Sequence, residues 1–251
     1  MRTQVKRTIQ VWEIPIRFFH LAFAVSIIGA LVSTLRENWL VYHAGFGMTA
    51  FILVVFRIGW GFIGGRHSRF SSFVRSPAQV VRYVLDQIRA AKQKEKPEEG
   101  IGHNPLAGLV MIFMLLAVVV LGVSGMTVLG GQEQIAPWAA WSGYSAAQFT
   151  IGIHKTLALV MIGLIAAHLL GIVLHTRRTG EMVALAMVDG RRHGTAQTKA
   201  PATSPATGKL RLALSVGSLA LAGLLFSTLP FQYTGRQTLQ ALALHELGPT
   251  Q

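Results

Sequence analysis

Four histidines stand inside runs of sequence apolar enough to cross a lipid bilayer: His20, His43, His154 and His168. Ionisable side chains are costly in hydrocarbon, so those that persist there are functional candidates. His154 and His168 are fourteen residues apart on one run. On a helix that spacing is about 21 Å of rise and leaves the two imidazoles within about 40° of the same face. The position of each histidine along its run pairs His43 with His154 near the outer face and His20 with His168 towards the inner one. Two neutral imidazoles facing each other across helices fill both axial positions of a low-spin haem b, a ligation that leaves no site for oxygen and favours electron transfer. Two stacked haems of this kind form a wire across the membrane. Interhelical hydrogen bonding and a proton relay are the alternatives for buried histidines. A lone histidine favours those alternatives, whereas four whose depths pair consistently favour haem. Zinc or copper is less well served, because neither cluster supplies a third or fourth side-chain ligand.

Haem propionates call for cations. Arg17, one turn before His20, and Arg57, at comparable depth near the inner end of its run, suit the inner haem's carboxylates. Lys155, beside His154, suits the outer haem. Snorkelling to the headgroups is the competing role for all three. Gly47, one turn after His43, is the best candidate among the glycines for contact with a flat macrocycle, and helix packing is the safer assignment for most of the others. His175, next to Arg177 and Arg178, reads as interfacial. No residue is assigned a catalytic role.

These side chains need a lipid-embedded scaffold, and the composition supplies one. Of the 251 residues 51% are hydrophobic and only 13% charged, against roughly 25% charged in a soluble domain. Five runs reach the about 20 apolar residues that a spanning helix needs. They are Ile14–Leu35, Leu40–Ile63, Asn104–Leu129, Thr150–His175 and Leu210–Leu229, and none of the ten acidic residues falls within them. The first run is too long for a signal-peptide core and is followed at once by a second. The connection Arg36–Trp39 is short enough to make the first two an antiparallel hairpin. Seventeen Lys and Arg then lie in segments on one side of the membrane, against Arg36 and Arg236 on the other. The positive-inside rule accordingly puts the N-terminus in the cytoplasm of a bacterial inner membrane and the C-terminus outside. Topology thus accounts for the net charge of +13 without nucleic acid. With no cysteine in the chain, disulfides, Fe–S clusters, thiolate zinc and covalently attached haem are excluded. Trp12, Trp39, Trp60, Trp138 and Trp141 fall near the run ends, where aromatic residues anchor helices at the interface.

The organisation expected is an all-α integral membrane protein: a four-helix haem-binding bundle over residues 1–192, a Thr/Ala/Pro-rich cytoplasmic linker over 193–209, and one additional C-terminal transmembrane helix with an extracytoplasmic tail over 210–251. Ser76-Pro77 predicts the start of an amphipathic helix on the inner surface, with Val80, Val81, Val84, Leu85 and Ile88 on one side and Arg82, Arg89 and Lys92 on the other. His103-Asn104-Pro105 predicts the start of the third span.

Several stretches resemble those of bacterial cytochrome b561 and hydrogenase-type membrane cytochrome b subunits. The first is Val11-Trp12-Glu13-Ile14-Pro15-Ile16-Arg17-Phe18-Phe19-His20. It is followed by Tyr42-His43-Ala44-Gly45-Phe46-Gly47, Phe56-Arg57-Ile58-Gly59-Trp60-Gly61-Phe62-Ile63-Gly64 and Arg66-His67-Ser68-Arg69-Phe70. Gly102-His103-Asn104-Pro105 and the His154/His168 spacing complete the set. The resemblance covers roughly residues 11–192. It implies a four-helix core binding two haems b through His20, His43, His154 and His168, and electron exchange between membrane quinone, ubiquinone or menaquinone, and a redox partner. The linker, fifth run and tail lie outside that pattern.

The leading expectation is therefore a dihaem electron-transfer subunit connecting the quinone pool with a periplasmic c-type cytochrome or another extracytoplasmic redox protein. The same wire serves equally as the membrane anchor of an uptake hydrogenase, or as a superoxide:quinone oxidoreductase in which Lys155 steers the anion. The outer connection, with Gln132, Glu133, Gln134, Trp138, Trp141, Ser142 and Tyr144, is the region considered for partner docking or quinone shelter, a lipid-facing loop being the more ordinary reading.

Overall fold

Four of the apolar runs fold as helices of bilayer length, because apolar sequence without Pro in its interior satisfies its backbone within the helix. A computed structural model describes residues 7–10, 12–65, 68–93, 104–135, 137–140, 142–180 and 182–194, together with Ala213 and Gly217. The long helices are α1 (Ile14–Ser33), α2 (Leu40–Ile63), α5 (Pro105–Gly131) and α6 (Tyr144–Thr179). All four have the length and apolarity to cross a membrane. Shorter helices are α3 (Phe70–Phe73), α4 (Pro77–Gln93) and α7 (Val183–Asp189). The protein is all-α and multi-pass. Beyond Gly194 the fifth run and tail lie outside the described residues, apart from Ala213 and Gly217, which are helical and exposed.

The helix ends follow local chemistry. Asn104 Oδ1 accepts the backbone N–H of Ala107 at 2.7 Å, capping α5 with Pro105 as its first residue. At α4, Ser76 and Gln79 exchange hydrogen bonds, the Ser76 N–H to Gln79 Oε1 at 3.2 Å and the Gln79 N–H to Ser76 Oγ at 3.4 Å, which is a capping box. Val80 faces inward, whereas Val81, Leu85 and Ile88 are exposed beside Arg82 and Arg89. α6 runs for 36 residues, starting six before and ending four after the expected span. The apolar run matches the hydrocarbon thickness, whereas the helix extends beyond it because nothing in Tyr144–Phe149 stops a helix. Gly180, at φ +76°, ends it in the left-handed conformation that a glycine C′ position takes.

Two features depart from expectation. A short antiparallel pairing joins β1 (Arg7–Gln10) to β2 (Arg191–Gly194), with Arg7 opposite Gly194 and Gln10 opposite Arg191. It continues through the Trp12 N–H to the Gly190 carbonyl at 3.2 Å and the Arg17 guanidinium to the Val188 carbonyl. Periodicity cannot reveal a backbone pairing between segments so far apart in sequence. The second departure concerns the tryptophans: Trp12, Trp60 and Trp138 are core residues, 5%, 1% and 8% exposed, rather than anchors in the lipid interface. Large indole area gains more from complete burial in protein than from a half-wet position. Trp39, half-buried, lies under the Arg36 guanidinium at 5.2 Å, and Trp141 is outside the described residues.

The chain divides into two compact units. One comprises residues 1–21, 55–117 and 159–215, the other residues 22–54, 118–158 and 216–251. In the first, Trp12, Ile16, Trp60 and Ala186 form the core, with Phe56 and Met187 packed against it. In the second, Met48, Leu129, Ile135 and Trp138 do so, with Phe51 and Met126 among those around them. In this second unit the connection after α5 folds back so closely that a Cβ on Gly130 would lie 2.4 Å from the Trp138 carbonyl oxygen. Backbone cannot give way as a side chain can. Gly130→Ala is expected to destabilise the protein by about 1–3 kcal/mol, read as a lowered thermal midpoint in detergent. Gly152→Ala, with nothing within 4 Å of the added carbon, is the control expected to leave it unchanged.

Candidate cofactor site

In the second unit, α2 carries His43 in its first turn and α6 carries His154, and the two imidazoles face each other. Their ring centres are 6.0 Å apart with planes at 74°. Two metal–nitrogen bonds of about 2 Å, with roughly 1 Å more from each nitrogen to its ring centre, separate the centres of a bis-imidazole pair by about 6 Å. The ring-centre separation of the pair is thus in the range that two imidazoles sharing one metal ion would have. His43 Nδ1 donates to the Ala30 carbonyl at 2.8 Å; a carbonyl only accepts, so the lone pair is left on Nε2. His154 Nδ1 is 2.9 Å from Ser124 Oγ. Among the described residues no three or more His, Cys, Asp or Glu side chains gather as a metal cluster. A metal bound by this pair needs its remaining donors from elsewhere, and a porphyrin brings four equatorial nitrogens of its own.

The first unit holds the other two histidines of the four. His20 on α1 and His168 on α6 are within electrostatic range of each other. Arg17, on the same helix as His20, is committed through its guanidinium to the Val188 carbonyl. Arg57 is buried, only 2% exposed, and does not reach for solvent. Its Nη2 donates to the Ser68 carbonyl at 3.1 Å, and its guanidinium lies 5.4 Å and 5.9 Å from the Phe70 and Phe73 ring centres. Arg57 Nη1 and the buried Ser68 Oγ have no hydrogen-bond partner among the described residues. An enclosed cation with a donor to spare is costly unless an anion meets it, and a carboxylate matches the guanidinium fork.

Around the His43/His154 pair, a Cβ on Gly47 would meet nothing within 4 Å, and one on Gly125 would be 3.4 Å from His154 Cε1. Gly122, by contrast, is filled by the Phe51 ring, which would stand 2.2 Å from an added Cβ. Gly29 is filled in the same way by the Phe46 ring, at 2.7 Å. Lys155 is exposed on α6, and His175 is half-buried near its C-terminal end.

The profile of prokaryotic cytochrome b561 matches residues 11–190. The chain belongs to that family. It is a membrane b-type cytochrome, and haem b is the group its family binds. The cytochrome is also 28% identical, over 192 residues, to a probable Ni/Fe-hydrogenase B-type cytochrome subunit of Bradyrhizobium diazoefficiens, an alignment that covers 64% of this chain and 78% of the relative. No solved structure matches it.

Two contacts in the cytochrome were not expected from its sequence. Ser124 touches His154 from thirty residues away on another helix, and the Ser68 backbone carbonyl accepts a hydrogen bond from Arg57 from a connecting turn. A hydroxyl inside a spanning helix is a usable signal for the first. For the second, Ser68 stood in one of the stretches that carry the resemblance, but nothing there pointed to Arg57.

Proposed function

We propose that His43 and His154 ligate one haem b and His20 and His168 a second, in a dihaem cytochrome that carries electrons between the quinone pool, ubiquinone or menaquinone, and an extracytoplasmic partner such as a c-type cytochrome. The observation that carries this reading is the opposed His43/His154 pair, at a spacing suited to one axially held iron. The proximity of His20 to His168 within the other compact unit supports a second site. Bound haem supplies one-electron exchange. The protein's part is to offer unprotonated Nε2 atoms and to surround the site with apolar side chains, and Arg57 is assigned to a carboxylate of the haem held by His20 and His168. Gly47 lies where its missing side chain leaves room beside the outer pair, and Lys155 and Arg17 are secondary candidates for propionate contact.

The surplus of cations in the connections before α1, between α2 and α5 and after α6 supports a cytoplasmic N-terminus in the bacterial inner membrane. We assign residues 1–192 to the haem core, 193–209 to a cytoplasmic linker, and 210–251 to a fifth span with an extracytoplasmic tail. The hydrogenase-linked relative favours a second reading, in which the same core anchors a hydrogenase and passes its electrons to quinone.

Oxidation of one quinol releases two electrons and two protons, enough to reduce two ferric haems. Protein purified in mild detergent is expected to give two haems per chain in a pyridine haemochrome assay, both reduced on mixing with a quinol analogue. One haem per chain, or two that quinol leaves oxidised, would overturn the proposal. Copurification of a hydrogenase would transfer the assignment to the second reading.

A further inference from the structure

We infer that Ser124 is a positioning residue for His154: its hydroxyl accepts the imidazole Nδ1–H, holds the ring, and sets the reduction potential of the haem that His154 ligates. The inference rests on the ligand assignment proposed above.

A serine hydroxyl has one proton. Ser124 Oγ donates it to the Leu121 carbonyl at 3.0 Å, and a carbonyl cannot reciprocate. What remains on Oγ is acceptor capacity, so the 2.9 Å contact with His154 Nδ1 is one in which the imidazole donates. Ser124 is 3% exposed, so bulk water does not compete for the bond. The outcome is the tautomer a metal requires, with the proton on Nδ1 and the lone pair on Nε2. Gly125, the next residue, brings the α5 backbone against the same ring, 3.4 Å from the Cβ position to Cε1. Ser124 and Gly125 together form a seat for one edge of the imidazole.

The two rings of the pair are held differently. His43 donates to the Ala30 carbonyl of α1, which belongs to the main chain. His154 donates to a side-chain hydroxyl, the one partner in the pair that substitution can remove. A hydrogen bond accepted from Nδ1–H raises the basicity of Nε2, and a more basic axial ligand favours ferric over ferrous iron. Removal of the hydroxyl should therefore raise the midpoint potential. The ordinary alternative is a serine that merely satisfies itself on its own helix through the i−3 carbonyl, as hydroxyls in apolar helices do. In that case the contact with His154 is incidental and the haem is indifferent to it.

Threonine and valine at 124 have nearly the same shape and differ in the hydroxyl, so Ser124→Thr and Ser124→Val in the full-length, haem-loaded cytochrome separate the two cases. Optical redox titration is expected to show the haem lost in His154→Ala at its native midpoint in the Thr variant and at a higher midpoint in the Val variant, with the other haem unmoved in both. The low-spin ferric EPR signal of the affected haem is expected to shift in the Val variant alone, because the ring is freed to rotate. Loss of that haem in the Val variant but not in the Thr variant would count in the same direction. Identical potentials, signals and haem content in the two variants would overturn the inference. Retention of both haems by His154→Ala would instead bring down the ligand assignment, a separable failure.

Discussion

His154→Ala is expected to lower the haem content from two per chain to one, and His168→Ala to remove the other haem. On the proposed ligation, each substitution would remove one of the two imidazoles that hold a haem, and the opposite imidazole alone would hold it less well. Haem counting and optical spectra of the two variants should therefore be complementary: the spectrum remaining in one is the spectrum missing from the other. The competing role for these histidines, interhelical hydrogen bonding, predicts a much smaller effect. Such bonds within membranes contribute on the order of 1 kcal/mol, too little to abolish a cofactor and unconnected with haem number. The 74° between the His43 and His154 planes adds a spectroscopic signature. Nearly perpendicular axial imidazoles leave the iron orbitals close to degenerate, so the ferric haem of this pair is expected to give a strongly anisotropic low-spin EPR signal. That signal should be absent from His154→Ala and present in His168→Ala. Equal loss of both haems from either variant would mean that the pairs are not independent.

Arg57→Leu should weaken retention of the haem held by His20 and His168 by about 10–100-fold, the usual cost of deleting an outer partner of a metal centre, while the haem of the other pair stays in place. The two roles open to this guanidinium predict opposite signs. If Arg57 is purely structural, replacing a buried, incompletely paired cation by an apolar side chain of similar bulk is neutral or stabilising, and haem content stays at two. If it meets a carboxylate, the variant keeps or gains thermal stability in the haem-free state yet releases haem on dilution or detergent washing. Arg57→Lys should fall between the wild type and Leu, because an ammonium keeps the charge but not the planar fork. Haem retention set against thermal midpoint distinguishes the cases, since only the carboxylate reading lets the two move apart. The enclosure seen at Arg57, with the Ser68 carbonyl on one side and the Phe70 and Phe73 rings nearby, makes this the second most consequential substitution.

The four described spans, the cap at Asn104 and the start of α4 at Ser76-Pro77 were all legible in the residues. Lipid makes them so: hydrocarbon demands about twenty apolar residues per crossing and satisfied backbone throughout, a rule each segment must obey by itself. The four histidines were conspicuous for the same reason, because an ionisable group in an apolar run stands out against its neighbours. Arg57 was visible too, but two destinations stood open for it. Its burial depends on Ser68, Phe70 and Phe73, which arrive from the connection after α2, and no pattern within α2 announces them. The tryptophans show the converse error. Position near a span end suggested interfacial anchoring, while Trp12, Trp60 and Trp138 each found enough protein surface to be buried entirely.

The order of elements, the membrane class and the presence of histidines within the spans were thus set by the chain read one segment at a time, since bilayer solvation acts on each segment separately. The facing of His43 and His154 at 6.0 Å, the hydroxyl of Ser124 under one of them, the enclosure of Arg57 and the strand pairing of Arg7–Gln10 with Arg191–Gly194 were decided only by the tertiary structure. Each is a contact between segments distant in sequence, and its geometry depends on the rotation and packing of both partners at once, which periodicity along either one does not encode.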